Sequence, residues 1–518
     1  MNAAPAQSPP AAAPRFNATL VALSLLAIVT MFRLWYATRC LGLVGDEAFY
    51  WLWSKHLAAS YTDKGPAIAW IIAAGTWLFG DTTLGIRFFG VLLGAGTGWQ
   101  IFRLARRFYD DRTALWCLLC ACVIPIFALG SVIMTVDAPS VFCWAWAANV
   151  FWTALETGKV RHWFGLGLII GAGFLAKYTN GVQLLCIALF LLWSPPHRRF
   201  LFSRQSFALA LAFVLCSLPM LWWNYQVGWL QFTALHSRSG VQNSFHIHPL
   251  KLLAFVGEEF GVLSPLIGIG MAVAVIGLLF SRHRDPHVRF LLCQCLPLFG
   301  LFSFFSLNAI GKANWAAPAF VTGILLLVVF WKELVRRRPG WRWAVHAALG
   351  VASLMTLGLH LLPFTSLPAF NHFVRRAQGW PDLAAHIEQA RSNHHATLLI
   401  ANHYWQASLA EFYLADHPRV FLATGANPQF KIWGEYRLTP GTRALFITND
   451  PQENGNDMGP PLTDEFKTRK LVDDFWNQYR GKNMWHFRIY LLVAADSDSL
   501  SPPVQTTAVN PPARDNGH

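Results

Sequence analysis

Long apolar runs separated by short polar loops fill the first 363 residues of the chain. About 20 consecutive apolar residues are enough to cross a bilayer as one helix. The pattern predicts eleven spans, at about residues 16–38, 82–102, 113–131, 139–155, 162–176, 180–193, 206–224, 258–280, 290–307, 314–331 and 343–363. The first run has no small-x-small cleavage site, so we expect it to remain as a span. A shorter apolar run at 66–80 predicts an interfacial or partly inserted helix.

Basic residues fall in every second loop between these runs. The basic loops cover residues 103–112, 159–162, 197–204, 282–289 and 332–342. Arginine and lysine are enriched in the cytoplasmic loops of membrane proteins. The sequence therefore predicts that the other loops, and the whole region after about residue 364, lie outside the cytoplasm.

A different pattern begins at about residue 364, where the apolar runs stop. Short periodic segments predict helices at 379–390 and 404–414, and strands at 397–400, 419–424, 443–448 and 487–494. Residues 364–495 are therefore predicted to form a small α/β domain that follows a membrane domain at 16–363 in the sequence. The Ala/Pro-rich residues 1–15 and the Ser/Pro/Asn-rich residues 496–518 are predicted to be disordered.

The composition agrees with a polytopic α-helical membrane protein, because 54% of the residues are hydrophobic and only 13% are charged. Soluble domains carry about 25% charged residues. The net charge of +14 is spread over loops rather than gathered in one patch, which argues against nucleic-acid binding. The nine cysteines all lie at or before Cys295, so a disulfide framework is not expected.

Polar side chains collect in the loops that are predicted to lie outside the cytoplasm. They are Asp46, Glu47, Lys64, Asp137, Lys177, Tyr178, Arg238, Glu258 and Lys312. Ionisable residues at a membrane are costly and usually functional. Acids and cations that converge on one membrane face predict a cavity for an anionic group next to lipid. There a base would activate a nucleophile, and cations would stabilise a phosphate.

Several of these residues occur in a characteristic order. After the first span come Asp46-Glu47-Ala48-x-Tyr50, Lys64-Gly65-Pro66, Arg87 and Thr135-x-Asp137-Ala138-Pro139. This order resembles the GT-C glycosyltransferases. It is most similar to the branch with the aminoarabinose transferase of lipid A, the bacterial galacturonic-acid transferases and the protein O-mannosyltransferases. Gly311–Pro318 and the segments at Gly379-Trp380 and His403-Tyr404-Trp405 also resemble bacterial members. Because that family usually has more than eleven spans, we expect about 11–13.

The resemblance implies a transferase that takes its sugar from a polyprenyl-phosphate donor and inverts the anomeric carbon. Asp46 matches the family's first acid, which acts as general base on the acceptor hydroxyl or positions it. Asp137 matches the second acid, which shapes the sugar and acceptor site. Lys64 matches a lysine near the lipid phosphate, and Arg87 is included among the substrate-binding candidates.

The implied acceptor is lipid A, lipopolysaccharide core or a similar envelope glycan, at the periplasmic face of the bacterial inner membrane. Membrane lipids are the other expected partners. A protein acceptor, as in the O-mannosyltransferases, is the nearest alternative. A transporter or flippase for a lipid-linked sugar is an alternative from another class. Such a protein would hold its ions near mid-membrane in broken helices, whereas these ions cluster at predicted helix ends.

Two positions depart from the aminoarabinose transferases. Those proteins carry an arginine three residues after the catalytic acid, where this chain has Phe49. They also carry a double proline after the lysine, where this chain has Gly65-Pro66. One phosphate contact is therefore either missing or supplied elsewhere, for example by Arg238 or Lys312. Both differences argue against aminoarabinose in particular, and the sugar stays open.

Structural alternatives exist for three of the candidates. Glu47 could cap a helix, Asp137 could cap the helix starting at Ala138-Pro139, and Arg87 could be the buried partner of an acid. His246-x-His248 has no third zinc ligand in the sequence, so no metal ligand is assigned. No cofactor is required by the pattern, although a divalent cation bound by Asp46 and Asp137 stays open.

Overall fold

A computed structural model describes residues 17–233, 246–281, 285–309, 311–365, 374–423, 427–449 and 466–494. Arg238 lies outside the described residues. The two predicted disordered termini, 1–15 and 496–518, also lie outside them.

Helices fill the first part of the chain. They are α1 (Ala18–Arg39), α2 (Gly45–Lys55), α3 (Ala67–Phe79), α4 (Thr83–Phe108), α5 (Asp111–Val123), α6 (Pro125–Gly130), α7 (Asp137–Thr157), α8 (Val160–Ala176), α9 (Val182–Trp193), α10 (Arg204–Gln226), α11 (Pro249–Leu263), α12 (Pro265–Leu279), α13 (Pro286–Ser306), α14 (Ala319–Arg337) and α15 (Arg342–Leu361). The apolar run at 66–80 is a helix, as expected, and α2 was not predicted.

Four helical segments in the described part of the chain are long and apolar enough to cross a membrane. They are Ala18–Arg39, Arg204–Gln226, Pro286–Ser306 and Pro339–Phe364. The bent pair formed by α11 and α12 would add a fifth. The other predicted spans are also helical but are shorter or less apolar, so the count of eleven stays a prediction.

Two of the predicted spans are each broken into two helices. The run at 113–131 forms α5 and α6, which are separated at Ile124 because Pro125 begins α6. The run at 258–280 contributes to α11 and α12, and the chain bends by 112° between these two helices. Ser264 between them has a φ of 76°, and Pro265 opens α12, where its ring excludes a continuous helix. Each of these predicted spans is thus interrupted at a proline, and whether each crosses the membrane stays a prediction.

Glycines let the membrane helices pack closely. Gly167 of α8 lies against the Leu209 carbonyl of α10, and Gly94 of α4 lies against the Ser131 side chain. A side chain at either glycine would push the two backbones apart. Small residues at such contacts favour helix association in lipid, where packing rather than the hydrophobic effect holds helices together.

The C-terminal part forms a five-stranded mixed sheet with helices. Its elements are α16 (Trp380–His394), β1 (Leu398–Ala401), α17 (Tyr404–Tyr413), β2 (Val420–Leu422), α18 (Pro428–Trp433), β3 (Arg443–Asn449), β4 (Phe466–Tyr479) and β5 (Lys482–Ala494). The strand order is β2-β1-β3-β5-β4, with β1 parallel to both neighbours and β5 antiparallel to both of its own. Strand β4 was not predicted, because a long exposed stretch hides its alternation.

The sheet domain is fixed to the segment between α1 and α2. Trp380 Nε1 donates a hydrogen bond to the Leu43 carbonyl at 2.8 Å, and the Leu43 N–H donates to Tyr413 Oη at 2.9 Å. Gly45, the first residue of α2, lies directly against Trp405 of α17. Helix α2 is therefore part of the contact between the two halves of the chain.

We expect Gly45→Ala to weaken this contact. A Cβ atom at residue 45 would lie 2.6 Å from Trp405 Cβ, so one of the two backbones has to shift. Overpacking of this kind costs about 1–3 kcal/mol, which should lower the midpoint of thermal unfolding of the purified protein. Gly165→Ala is the matched control, because a Cβ there meets no described atom within 4 Å. Equal midpoints for both variants would contradict the close contact.

Candidate active site

Helix α2 presents its two adjacent acids in different directions. Asp46 is exposed, whereas Glu47 is fully buried. Successive residues of an α-helix are rotated by about 100°, so a single turn supplies both an open carboxylate and an internal one. The two acids therefore have different roles.

Glu47 forms a buried ion pair with Arg87 of α4. Arg87 Nε donates to Glu47 Oε1 at 2.7 Å, and Arg87 Nη2 donates to Oε2 at 2.5 Å. The side chains are 0% and 1% exposed, respectively. The guanidinium also donates to three backbone carbonyls at the end of α1 and just beyond it, those of Ala37, Leu41 and Gly42. All five N–H groups of Arg87 are thus used inside the protein.

Glu47 accepts two further hydrogen bonds from the backbone. The Met134 N–H donates to Oε1 at 2.7 Å, and the Val44 N–H donates to Oε2 at 3.1 Å, which closes the first turn of α2. The ion pair thus joins α1, α2, α4 and the segment before α7. These contacts favour the structural alternative for both residues. Their geometry is that of positioning residues and does not favour the predicted direct contact of Glu47 and Arg87 with substrate.

Asp46 faces the C-terminal domain. Tyr404 Oη, at the start of α17, donates a hydrogen bond to Asp46 Oδ1 at 3.0 Å. One turn later on α2, the ring of Phe49 stacks on Phe430 with centroids 5.9 Å apart and lies 4.8 Å from the Tyr404 ring. Position 49 therefore makes an aromatic contact between the two halves of the chain and offers no charge to a phosphate.

Asp137, the first residue of α7, lies in a second polar cluster. Lys177 Nζ donates to Asp137 Oδ1 at 2.7 Å and to the Asn314 carbonyl at 3.2 Å. Asn314 Nδ2 donates to Asp137 Oδ2 at 2.6 Å. The Asp137 side chain is 14% exposed and makes no capping hydrogen bond to α7. Two donors from distant segments thus orient a carboxylate that still reaches the surface.

Tyr50 lies near both Asp46 and Asp137. Burial raises the pKa of its phenol, and the nearby carboxylates of Asp46, Asp137 and Asp63 raise that pKa further. Tyr50 therefore stays protonated and neutral between carboxylates. Asp46 and Asp137 therefore both lie near the Tyr50 phenol, and their place in one site stays a prediction.

The remaining predicted residues lie at different distances from this site. Lys64 is half-buried in the turn before α3, where its carbonyl accepts from the Tyr61 N–H at 3.3 Å. Tyr178 follows Lys177 in a short 3-10 turn, and Lys312 is exposed two residues before Asn314. The exposed Glu258 on α11 makes no hydrogen bond or ion pair with the clusters as far as the structure describes them. Arg238 lies outside the described residues.

A cavity extends from Asp137 between the helices. Thr135, Asp137 and Asn314 belong to its lining, and so does Arg33 of α1. Among the described residues, no three His, Cys, Asp or Glu side chains lie close enough together to hold a metal ion. A divalent cation shared by Asp46 and Asp137 stays a prediction.

Several proteins with a related sequence are named as glycosyltransferases. The family model for dolichyl-phosphate-mannose-protein mannosyltransferase matches residues 63–223. Lipid A galacturonosyltransferase RgtD of Rhizobium johnstonii is 31% identical over 60% of this chain and 64% of its own. The undecaprenyl phosphate-alpha-4-amino-4-deoxy-L-arabinose arabinosyl transferase of Pseudomonas paraeruginosa is 28% identical over 61% of this chain and 57% of its own. The chain thus spans less than two thirds of the length of either relative.

Solved structures identify the architecture. The structure of ArnT from Cupriavidus metallidurans in the apo state aligns with this chain at a TM-score of 0.62 and 14% identity. The alignment covers 94% of this chain and 100% of the ArnT chain. ArnT bound to undecaprenyl phosphate matches 93% of this chain with 99% of its own, at a TM-score of 0.61. The chain has the GT-C glycosyltransferase fold. The predicted resemblance and fold class are confirmed, including the small α/β part at the C-terminus.

Within the GT-C fold, four residues near the site were not assigned to it from the sequence: Arg33, Tyr50, Asn314 and Tyr404. Arg33 is the one charged residue in the first apolar run, from Phe16 to Tyr36, and that isolation was a usable signal. Asn314 lies in the segment that already resembled bacterial GT-C members. Tyr404 reaches Asp46 only because the C-terminal domain docks on α2, which no local pattern indicates.

We expect Glu47→Gln to destabilise this GT-C fold strongly. The change leaves the buried charge of Arg87 without its partner, which costs about 3–5 kcal/mol. The thermal unfolding midpoint and the amount of protein in the membrane should both fall. Glu388→Gln is the control, because Glu388 pairs with Arg391 in an exposed position where a pair contributes about 0–1 kcal/mol. A similar loss in the two variants would contradict the anchoring role of Glu47.

Proposed function

We propose that the chain is a membrane glycosyltransferase that moves a sugar from a polyprenyl-phosphate donor to lipid A or a related envelope glycan. The observation that carries this proposal is the pair of oriented carboxylates near Tyr50: exposed Asp46, held by Tyr404, and Asp137, held by Lys177 and Asn314. The names of the relatives support both substrate classes, since one is a lipid A galacturonosyltransferase and another an undecaprenyl phosphate-aminoarabinose transferase. The ArnT structure that contains undecaprenyl phosphate supports the donor class.

Asp46 is the proposed general base. Its carboxylate is exposed, so an acceptor hydroxyl can approach it, and its orientation is held by Tyr404. Asp46 takes the hydroxyl proton while the hydroxyl oxygen forms a bond to the anomeric carbon. The bond from that carbon to the phosphate oxygen breaks, and its electron pair stays on the phosphate. Attack from the side opposite the phosphate inverts the anomeric carbon.

The leaving polyprenyl phosphate is a weak base, so it does not need a proton from a strong general acid. Cations that stabilise its negative charge are sufficient. Lys64, next to Asp63 in the sequence, and Lys312, two residues before Asn314, are the proposed phosphate contacts among the described residues. Lys177 is held by Asp137 at 2.7 Å, so its proposed task is to orient that carboxylate. Asp137 and Asn314 in turn offer an acceptor and a donor to sugar hydroxyls.

We propose that the site and the C-terminal domain face the periplasm, with the chain in the inner membrane. The basic ends of two helices support this orientation: Arg106 and Arg107 lie in the last turn of α4, and Arg336 and Arg337 lie in the last turn of α14. Arg87 and Asp137 lie at or near the opposite helix ends, at the site. The positive-inside rule puts the basic ends in the cytoplasm.

Asp46→Asn should remove the base with little change in shape. General base catalysis contributes about 10²–10⁴-fold, and we expect the rate of sugar transfer by the reconstituted protein to fall by that factor. Asp137→Asn should raise the KM for the donor as well, because it releases Lys177. Mass spectrometry of lipid A from cells checks the same loss in vivo. Asp416→Asn is the exposed control, and unchanged glycolipid masses with Asp46→Asn at normal protein levels would contradict the assignment.

Fusions to the C-terminus of the full chain test the orientation. We expect alkaline phosphatase at this position to be active, because it folds only in the periplasm. A green fluorescent protein at the same position should be dark, because it does not become fluorescent after export to the periplasm by the general pathway. A fluorescent fusion with inactive phosphatase would place the C-terminal domain in the cytoplasm and overturn the proposed orientation. Equal amounts of the two fusion proteins in the membrane are the control.

A further inference from the structure

Arg33 is a buried cation in the first membrane helix. Its side chain is 6% exposed and lines the cavity that extends from Asp137. It lies six residues before the end of α1 at Arg39, which is about 9 Å along the helix axis. Its guanidinium makes no hydrogen bond or ion pair with any residue that the structure describes. The positive charge therefore borders the cavity, and none of the described residues is its partner there.

A buried charge without a partner is costly in a membrane helix and usually marks a binding site. Lysines and arginines near helix ends often extend to lipid headgroups, but such a side chain keeps its charged end exposed. Arg33 is enclosed by helices and opens on the cavity instead. An anionic ligand in the cavity would supply the missing partner.

The rest of the lining is mostly apolar and carries a few polar groups. Among these, the hydroxyls of Thr97 and Ser131 donate to backbone carbonyls and can still accept a hydrogen bond from a ligand. At the end near the proposed reaction lie Asp137 and Asn314. Hydroxyl and amide groups pair with sugar hydroxyls, whereas a guanidinium pairs best with a carboxylate or phosphate.

The phosphate of the donor does not account for Arg33. The phosphate is bonded to the anomeric carbon, which has to meet the acceptor hydroxyl at Asp46, and Lys64 and Lys312 are the contacts proposed for it. The anion that Arg33 meets must then be carried by the sugar itself. A carboxylate on the ring satisfies this requirement, and the ammonium group of an amino sugar would be repelled.

We propose that this cavity selects a uronic acid, and that Arg33 pairs with the carboxylate of the transferred sugar. This inference rests on the proposed function and narrows its substrate class. The two relatives differ at this point, because one is named for galacturonic acid and the other for a 4-amino-4-deoxy sugar. Arg33 therefore favours the anionic sugar as the substrate of this chain. Phe49, which stands where the aminoarabinose transferases are expected to carry an arginine, agrees with this choice.

The test compares donors that differ in a single group. Purified full-length protein in liposomes is given lipid A and either undecaprenyl-phosphate galacturonate or undecaprenyl-phosphate galactose, which has a hydroxymethyl group in place of the carboxylate. We expect kcat/KM for galacturonate to exceed that for galactose by at least about 30-fold. In Arg33→Gln this ratio should fall by about 100-fold, since loss of a buried ion-pair partner is costly. Arg33→Lys should restore part of this preference for galacturonate over galactose. Arg39 is exposed on the same helix, so Arg39→Gln should keep the wild-type preference.

Three outcomes would overturn the inference. The first is a wild-type protein that transfers galactose, or undecaprenyl-phosphate 4-amino-4-deoxyarabinose, as well as galacturonate. The second is an Arg33→Gln variant that slows both donors equally, which is the result of a structural role only. The third is a wild-type protein that transfers no sugar from any of these donors, which would overturn the proposed function as well. If Arg33→Gln does not fold, the donor preference of the wild-type protein and of Arg33→Lys still decides the question.

Discussion

The ion pair between Glu47 and Arg87 fixes four segments of the chain around the candidate site. A buried pair offsets its desolvation only when its geometry is good and its other donors and acceptors are satisfied. Here each N–H of Arg87 has an acceptor, and both oxygens of Glu47 accept from backbone as well. Asp46 is one residue away, so its exposure follows from the burial of Glu47. One acid anchors the helix, and the other is thereby presented to the surface.

The C-terminal domain belongs to the site as much as the membrane helices do. Trp380 and Tyr413 hold the Leu43 backbone, and Tyr404 holds Asp46. Phe49 contributes an aromatic contact to the same interface. The candidate base therefore lies at a junction between the two halves, where Phe49 contributes packing and no charge.

Local patterns predicted most of the helices, because length and apolar composition are properties of a single segment. They failed at Ser264, where a positive φ and the following proline turn one run into two helices. The motif led to Asp46 and Asp137 as one site, and their shared effect on Tyr50 agrees with it. For Glu47 and Arg87 the sequence left two alternatives, since only folding brings residues 40 positions apart into contact. Tyr404 depends on domain docking, which has no local signal.

The hydrogen bond from Tyr404 to Asp46 joins residues 358 positions apart. A hydrogen bond is lost when its atoms separate by less than an ångström beyond the usual range. The membrane half of the chain, separated from its sheet domain, would therefore keep the carboxylate but lose the group that aims it. A chimera that takes the sheet domain of a relative would likewise change the surroundings of the base, even if every membrane helix were retained. The two halves can be expected to vary together rather than as exchangeable modules.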